Sequence, residues 1–428
     1  MAKGNVEQAE IEAPYELPEG WKWCRLGEIC EKIKRGKSPK YADKSGTLVF
    51  AQKCNQPDGT MSLEKALFLN EELLSKYKDD DFVKDGDILI NSTGTGTIGR
   101  VGYFDKSFLT EGMKLVPDTH VTTVRARIGN APQFFYYFLK QKESYLELKG
   151  VGTTNMKELH ADVLENLLFP LPPTLTEQKR IVSRIETLFA KLDEAEEKTR
   201  TVLDGFETRK AAILHKAFTG QLRIDNEELT MEDWEEKKLG EVCDSIFDGD
   251  HMPPPKAESG IPFLVISNVN TGYLSFDNTR YVPSGYYDSL SETRKPKKGD
   301  VLYTIVGSYG IPVLVDSDRV FCFQRHMALL KPSKLISSKY LWYVLQSNEM
   351  YQKVTSIATG TAQLTVPIKG LRELTIPVPP LNYQLSIVNF LSTVLEKESR
   401  AKEAAQTVLD QIALLKKSIL ARAFRGEL

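Results

Sequence analysis

Residues 170–222 read PLPPTLTEQKRIVSRIETLFAKLDEAEEKTRTVLDGFETRKAAILHKAFTGQL, and their reading decides the fold. From Leu175 to Phe218 there is no proline and a single glycine, Gly205, so nothing breaks a helix. Apolar or small residues recur at Ile181, Ile185, Leu188, Leu192, Ala195, Thr199, Val202 and Phe206, in alternating steps of four and three. That alternation is the heptad seam of a coiled coil. At 1.5 Å per residue, about 44 residues make a rod of roughly 65 Å. The prolines at 170, 172 and 173 end whatever precedes it.

The stretch has a second copy. PVPP (377–380) repeats PLPP (170–173), Gln384 with Ile387-Val388 repeats Gln178 with Ile181-Val182, and AFRGEL (423–428) repeats AFTGQL (217–222). The second seam runs Ile387, Leu391, Val394, Glu398, Ala401, Ala405, Val408, Ile412, Leu415, Ile419. Further upstream, Trp21 with LGEIC (26–30) is matched by Trp234 with LGEVC (239–243). Asp85-Gly86-Asp87-Ile88-Leu89 is matched by Lys298-Gly299-Asp300-Val301-Leu302. The offset is 213 in these early matches and 206 in the last ones, so insertions and deletions fall in the first part of each copy. The chain is two copies of one long unit. Neither rod can bury its own seam, so the two are expected to pair with each other.

The parts before the helices hold short apolar runs (TLVFAQ, DILIN, IPFLVI, DVLYTI) punctuated by Gly, Asn, Asp and Pro, which read as strands and turns. One helix is expected in each, over 132–149 and 338–354. The fold class is therefore α+β. Two mixed α/β globular domains are separated by two long helices pairing as an antiparallel coiled coil, with an internal pseudo-twofold repeat.

Composition narrows the classes. The chain has 428 residues, 41% of them apolar and 27% charged, enough for two or three domains with cores of their own. No run approaches the roughly 20 apolar residues of a membrane helix. The first 14 residues are polar and acidic, unlike a secretion signal, and read as a flexible leader. Five cysteines (24, 30, 54, 243, 322) form no CxxC pair, which fits a reducing cytoplasm. A net charge of −2 provides no general field for nucleic acid.

Several strings imitate catalytic motifs. GTGTIG (94–99), with Asp118 about 20 residues on, satisfies a dinucleotide fingerprint. The mechanism needs a helix to start there, but RVGYFDKSFLTEG follows, and the second copy reads VGSYGIPVLVD with Pro312. A Gly/Thr-rich loop between strands is the expectation. Asp118 with Glu147 and Lys149 resembles the acidic-plus-lysine set of nucleases, yet Glu147 falls on an expected helix and the second copy has no counterpart. Five histidines (120, 160, 215, 251, 326) show no HExxH or close pair, so no metal site is expected. There is no GxSxG elbow and no NPPY-like tetrapeptide of amino-methyl transfer. No catalytic, cofactor or metal residue is assigned.

The order LPEGWKWCRLGEIC, GDILINSTGTGTIG, LLFPLPPTLTEQKRIV, long helix, AFTGQL, and then the same cycle ending in AFRGEL closely resembles the DNA-specificity subunit of type I restriction–modification systems. The resemblance runs from about residue 15 to 428. It implies two target-recognition domains, each reading one half of a bipartite double-stranded DNA site, at opposite ends of paired helices that space them. It also implies docking of two methyltransferase subunits, which bind S-adenosylmethionine, and of restriction–motor subunits that use ATP and magnesium, in a prokaryotic cytoplasm. The corresponding division is a leader (1–14), recognition domain 1 (15–173), the first long helix (174–222), an acidic linker (223–232), recognition domain 2 (233–379) and the second long helix (380–428).

With so little net charge, phosphate contact requires local basic clusters. Lys32, Lys34, Arg35, Lys37 and Lys40 form one; Arg294, Lys295, Lys297 and Lys298 form another. Loop residues able to bond base edges complete the candidate set. In the first copy these are Asn91, Thr95, Thr97, Arg100 and Lys157, beside Lys34, Arg35 and Lys37. In the second they are His251, Asn268, Asn270, Ser308, Tyr309, Arg325 and Gln363. Two other readings compete: a DNA-binding nuclease using Asp118, Glu147 and Lys149, and a coiled-coil adaptor that binds only proteins. The target bases and the spacer length are not legible in the residues.

Overall fold

A computed structural model describes residues 13–57, 59–153, 156–224, 227–228, 233–249 and 254–428. Its chain falls into two units, one of 1–198 with 408–428 and one of 199–407.

The first unit is built on Ile88–Asn91, the central strand begun by the Gly86-Asp87 motif. Its four-stranded antiparallel sheet has the order Cys30–Arg35, Val121–Ala126, Ile88–Asn91, Val101–Tyr103. Successive side chains of a strand point to opposite faces. Ile88 and Ile90 thus meet Phe134, Phe135 and Phe138 of the helix Pro132–Gln141, while Leu89 meets Phe50, Cys54 and Leu115 on the other side. That second layer is a small sheet ordered Tyr41–Ala42, Leu67–Leu69, Thr47–Phe50, Lys114–Pro117, whose last two strands run parallel. A strand covered on both faces has no room for alternation, which is why DILIN reads as a continuous apolar run.

The second unit repeats this order. Its sheet runs Cys243–Asp248, Met327–Pro332, Val301–Thr304, Pro312–Leu314. Val301 and Tyr303 enter the larger core, and Leu302 enters a smaller one with Phe321 and Phe323. The second layer is Arg280–Val282, Ile261–Leu264, Cys322–Phe323, again ending in a parallel pair.

The repeated motifs perform the same physical tasks in both units. Gly86 and Gly299 have φ of 85° and 97°, the left-handed turn that admits glycine without strain. The next residue closes the turn: Asp87 accepts the Lys84 N–H at 2.8 Å, and Asp300 that of Lys297 at 2.8 Å. Each of these buried carboxylates also takes a cation from the neighbouring strand. Arg125 reaches both oxygens of Asp87 at 2.7 Å, and Lys331 reaches Asp300 at 2.6 Å. Removing one partner of such a pair leaves the other charged and buried, a loss of about 3–5 kcal/mol. In LGEIC and LGEVC, Glu28 accepts the Arg25 N–H (3.1 Å) and Glu241 the Lys238 N–H (2.8 Å), capping a single helical turn. The glycine there is required by space. A Cβ on Gly27 would lie 3.2 Å from the Glu165 carbonyl oxygen, and one on Gly240 3.3 Å from that of Arg372. Gln178 and Gln384, both buried, accept the N–H of Ala131 and of Ser337, each at 2.8 Å.

The long helices are Leu175–Phe218 and Leu381–Ala423. In the first unit, Ile181, Val182 and Ile185 share a core with Leu420, Ala423 and Phe424. The Phe424 ring lies 5.0 Å from Phe134 and 5.3 Å from Phe138. In the second unit, Leu214, Ala217, Phe218 and Leu222 share a core with Ile387, Val388 and Leu391, and Phe218 meets Tyr340 edge-on at 5.5 Å. The repeated Ala-Phe that ends each helix is thus a core plug.

Four seam positions prove exposed: Ala401 on the second helix, and three more whose place is taken by a neighbour. Val202, Val408 and Leu415 are 49%, 40% and 49% exposed, and the sheltered positions are their neighbours Leu203, Leu409 and Lys416. Lys416 carries its ammonium to Asp193 (2.6 Å) and Glu196 (2.8 Å). A regular heptad count could not see this one-residue shift, because apolar residues flank both choices in the first helix and at 408–409. The expected helices over 132–149 and 338–354 are each divided. Pro132–Gln141 is followed by Glu143–Lys149, where the Glu143 carboxylate accepts the Val101 N–H at 2.7 Å. Ser338–Val344 is followed by Asn348–Ile357, begun by Ser347 as its cap.

Phe424→Ala will lower the stability of the first unit by about 3–5 kcal/mol, the cost of emptying a fully buried phenylalanine site. Hydrogen exchange will detect it as loss of protection in Ile88–Asn91, with Val301–Thr304 unchanged.

Candidate nucleic-acid interface

At one end of the four-stranded sheet in each unit, three segments are bonded together through their backbones. In the first unit the Ser92 N–H donates to His120 O (2.8 Å), the Leu159 N–H to Ser92 O (2.8 Å), and the Gly94 N–H to Lys157 O (3.3 Å). In the second, the Ile305 N–H donates to His326 O (2.9 Å), the Val366 N–H to Ile305 O (2.8 Å), and the Gly307 N–H to Leu364 O (3.0 Å). The partners correspond one to one at the repeat offsets. GTGTIG is a turn between Ile88–Asn91 and Val101–Tyr103, with Gly94, Gly96 and Gly99 at φ of 105°, 73° and 82°. No helix starts there to hold a pyrophosphate.

The junction divides the candidate residues into two kinds. Thr95, Asn270, Ser308, Arg325 and Gln363 are exposed, and Lys157 is half-buried. The others are engaged internally. Asn91 is buried; its amide donates to Gln52 O (3.0 Å) and accepts from Asn55 (2.9 Å), so it supports the turn instead of facing a base. Asn268 is also buried, accepting the Val265 N–H (3.0 Å) and donating to Asp277 O (3.1 Å). Thr97 donates to Gln52 Oε1 (3.1 Å), and Arg100 donates to Gly96 O (2.9 Å). Tyr309 stacks on Tyr351 at 5.7 Å and donates to Thr355 Oγ1 (3.2 Å). His251 lies outside the described residues.

The basic clusters turn out to be two sides of one contact. In the first unit Asp81 accepts Lys37 (2.5 Å), Lys34 (3.3 Å) and the Lys78 N–H (2.9 Å). Asp80 takes Arg125 (2.9 Å) and Lys32 (3.9 Å), and Arg35 pairs with Glu158. In the second unit Asp248 stands 213 positions after Arg35 and Arg294 stands 213 after Asp81, and these two pair at 3.8 Å. The edge strand is basic and its facing turn acidic in one copy, and the signs are exchanged in the other. Lys295 and Lys297 both reach Glu292 at 3.0 Å, and Lys298 lies 3.9 Å from Asp318. Counting charges along the sequence finds these clusters but not the carboxylates that fold against them.

Asp118 is buried behind Lys114–Pro117, where it accepts the His120 N–H at 2.8 Å, and burial pushes its carboxyl above the usual range. Glu147 and Lys149 sit on the separate helix Glu143–Lys149, with the Lys149 ammonium over the Tyr145 ring. Among the described residues no three His, Cys, Asp or Glu side chains are grouped to hold a metal. The junction also brings in His120 and His326, absent from the candidate set. They are 206 positions apart, the offset of the later matches, a correspondence that metal-ligand spacing does not register.

The family described as the type I restriction modification DNA specificity domain matches residues 18–204 and 231–408. The type I restriction enzyme EcoBI specificity subunit of Escherichia coli is 28% identical, the match covering 69% of this chain and 65% of that protein. The MjaVIII specificity subunit of Methanocaldococcus jannaschii is 25% identical over 96% of this chain and 94% of that one. Among solved structures, the HsdS subunit from Thermoanaerobacter tengcongensis shares the fold at a TM-score of 0.60 and 21% identity, covering 97% of this chain and all of that one. A chain from a study of complex assembly and conformational transition in the type I R-M system gives a TM-score of 0.74 at 22% identity, with 97% of this chain and all of that one covered.

The Asp81 contact has a pH signature. Burial alone would raise its carboxyl, but Lys37, the Lys78 N–H and Lys34 outweigh it and hold the group at about 2, against an ordinary 3.8. A depressed carboxyl stabilises the folded state above its ordinary value, and the gain is lost as pH falls through the folded one. Urea unfolding will show the first unit losing about 2 kcal/mol between roughly pH 4 and 2 from this group. Asp81→Asn will remove that part of the slope.

Proposed function

The chain belongs to the type I restriction–modification DNA-specificity family, and from that premise we propose that it reads a bipartite double-stranded DNA target, one half with each unit. It is a non-catalytic subunit. Methyl transfer and cleavage belong to partners: two methyltransferase subunits carrying S-adenosylmethionine, and restriction–motor subunits using ATP and magnesium, in a prokaryotic cytoplasm. The observation that carries this reading is that the specificity domain matches twice, on two units with the same strand order and the same loop junction. Two unlike readers on one chain recognise two spaced half-sites, as dimeric DNA binders do with identical subunits.

In this reading 15–173 and 233–379 are the recognition domains, 174–222 and 380–428 the spacer helices, 1–14 a leader and 223–232 a linker. The helices pair as an antiparallel coiled coil about a pseudo-twofold axis. Heptad spacing supports this, and so do ion pairs within each unit. Glu207 meets Lys402 (2.8 Å) and Arg209 meets Glu398 (3.0 Å) in one, while Lys416 meets Asp193 and Glu196 in the other. The exposed candidates Thr95, Asn270, Ser308, Arg325 and Gln363, with Lys157, supply base-edge and phosphate contacts. Lys34, Arg35, Lys37, Arg294, Lys295 and Lys297 supply phosphate contacts from the rims of the paired charges.

Mapping methylated adenines in cells that carry the partner subunits tests the assignment. Exchanging 15–173 for the same region of a relative will change one half of the methylated site and leave the other intact. A change in both halves would refute one reader per half.

The spacer role has its own test. Seven residues inserted into both helices, near Thr199 and Ala405, keep the seam in phase and lengthen the rod by about 10 Å. That equals roughly three base pairs of DNA at about 3.4 Å each. The half-site bases will stay the same, and the gap will widen, or activity will fall where helix and DNA twist disagree. An active insertion variant with its original gap would show that the helices do not set the distance.

A further inference from the structure

Two histidines lie at the loop junction, His120 in the first unit and His326 in the second, 206 residues apart. Each gives its backbone carbonyl to the residue that opens the turn after the central strand, Ser92 or Ile305. Each ring is also held by one nitrogen. Thr93 Oγ1 lies 2.6 Å from His120 Nδ1, and Gln324 Nε2 lies 2.8 Å from His326 Nδ1. An amide nitrogen can only donate, so Nδ1 of His326 accepts and the ring proton sits on Nε2. The Thr93 hydroxyl, which can donate as well as accept, occupies the same ring nitrogen of His120, and when it donates the ring proton of His120 also sits on Nε2. A partner at one ring nitrogen sets the tautomer at the other.

The second nitrogen is left unused. Among the described residues neither Nε2 has a hydrogen-bond partner, and neither is among the fully buried polar atoms. His120 is exposed and His326 half-buried. Burial, and then the Arg325 charge, hold His326 below the usual imidazole range, so it is neutral near pH 7 and carries one outward proton. The two rings come from otherwise different loops, Asp-Thr-His and Gln-Arg-His, and use different side chains to reach the same arrangement.

We infer that His120 and His326 are equivalent DNA-contacting residues, each offering its Nε2–H to a hydrogen-bond acceptor in the half-site read by its own unit. The inference rests on the specificity reading given above. An Nε2–H suits a phosphate oxygen, a purine N7 or a guanine O6 equally.

The test uses the full assembly with its methyltransferase subunits and target duplexes carrying single substitutions in each half. His120→Phe and His326→Phe keep a ring of similar size and remove the donor. Each will weaken target binding about tenfold. If the acceptor is a base, His120→Phe will relax one position of the first half-site, and His326→Phe one of the second. If it is a phosphate, every sequence will weaken alike, and the salt slope will fall by about one. Both outcomes support the contact. His→Gln, which retains an N–H donor, will recover part of the loss. Thr93→Val, which frees Nδ1 without removing the ring, will weaken only the first half-site. Should either phenylalanine variant fold poorly, the glutamine and valine variants decide the matter alone. Unchanged binding and methylation in folded variants overturn the inference. Absence of sequence-specific binding by the unmodified assembly overturns the specificity reading itself.

Discussion

An apolar stripe along a helix of more than forty residues cannot be buried by the helix that carries it. The architecture of this chain follows from that constraint. In the first unit the start of one long helix and the end of the other are sealed into a core of phenylalanines around Phe134, Phe169 and Phe424. In the second, the corresponding pieces close around Tyr340 and Phe218. Each core therefore draws on two distant parts of the chain, the first needing residues 420–424 and the second residues 214–222 and 387–391. Such contacts are non-local, and their cost in chain entropy must be met before they stabilise anything.

Within that frame the two copies separate what must be kept from what is free to vary. The Gly-Asp turn, its buried cation, the capped LGE turn and the buried glutamine recur with nearly the same distances. Each satisfies a backbone group or a charge that would otherwise be stranded away from water, so substitution carries a steep penalty. The edge contact behaves differently. The edge strand meets its facing turn through Lys34 and Lys37 on Asp81 in one unit and through Asp248 on Arg294 in the other, so the same two segments are joined by opposite charges with the signs exchanged. The loops that follow the central strand differ most, GTGTIG against GSYG, on an identical backbone junction. A rigid frame carrying interchangeable loops suits a protein whose two halves perform one task on different sequences.

The resulting picture of recognition is one of supports and contacts. Asn91, Asn268 and Thr97 have the chemistry of base readers, but their hydrogen bonds are used to hold turns in shape. Thr95, Ser308, Arg325 and Gln363 are exposed. A buried amide that props up a loop acts only through the position it imposes, whereas an exposed donor is open to a direct contact.

The sequence by itself determined the duplication, the two long helices and the absence of a nucleotide-binding helix after GTGTIG, because periodicity, proline placement and repeat offsets are local or comparable along one dimension. It also identified the strands that begin at Gly86-Asp87 and Gly299-Asp300. Only the tertiary structure decided which seam positions are sheltered, since Leu203 and Leu409 displace Val202 and Val408 by a one-residue rotation that a regular heptad does not register. It alone decided that the basic clusters are already answered by Asp80, Asp81, Glu158, Asp248 and Glu292, because those partners approach through folding and not through sequence proximity. And it alone brought His120 and His326 to matching junctions, where a backbone bond from a distant strand fixes the place of each ring.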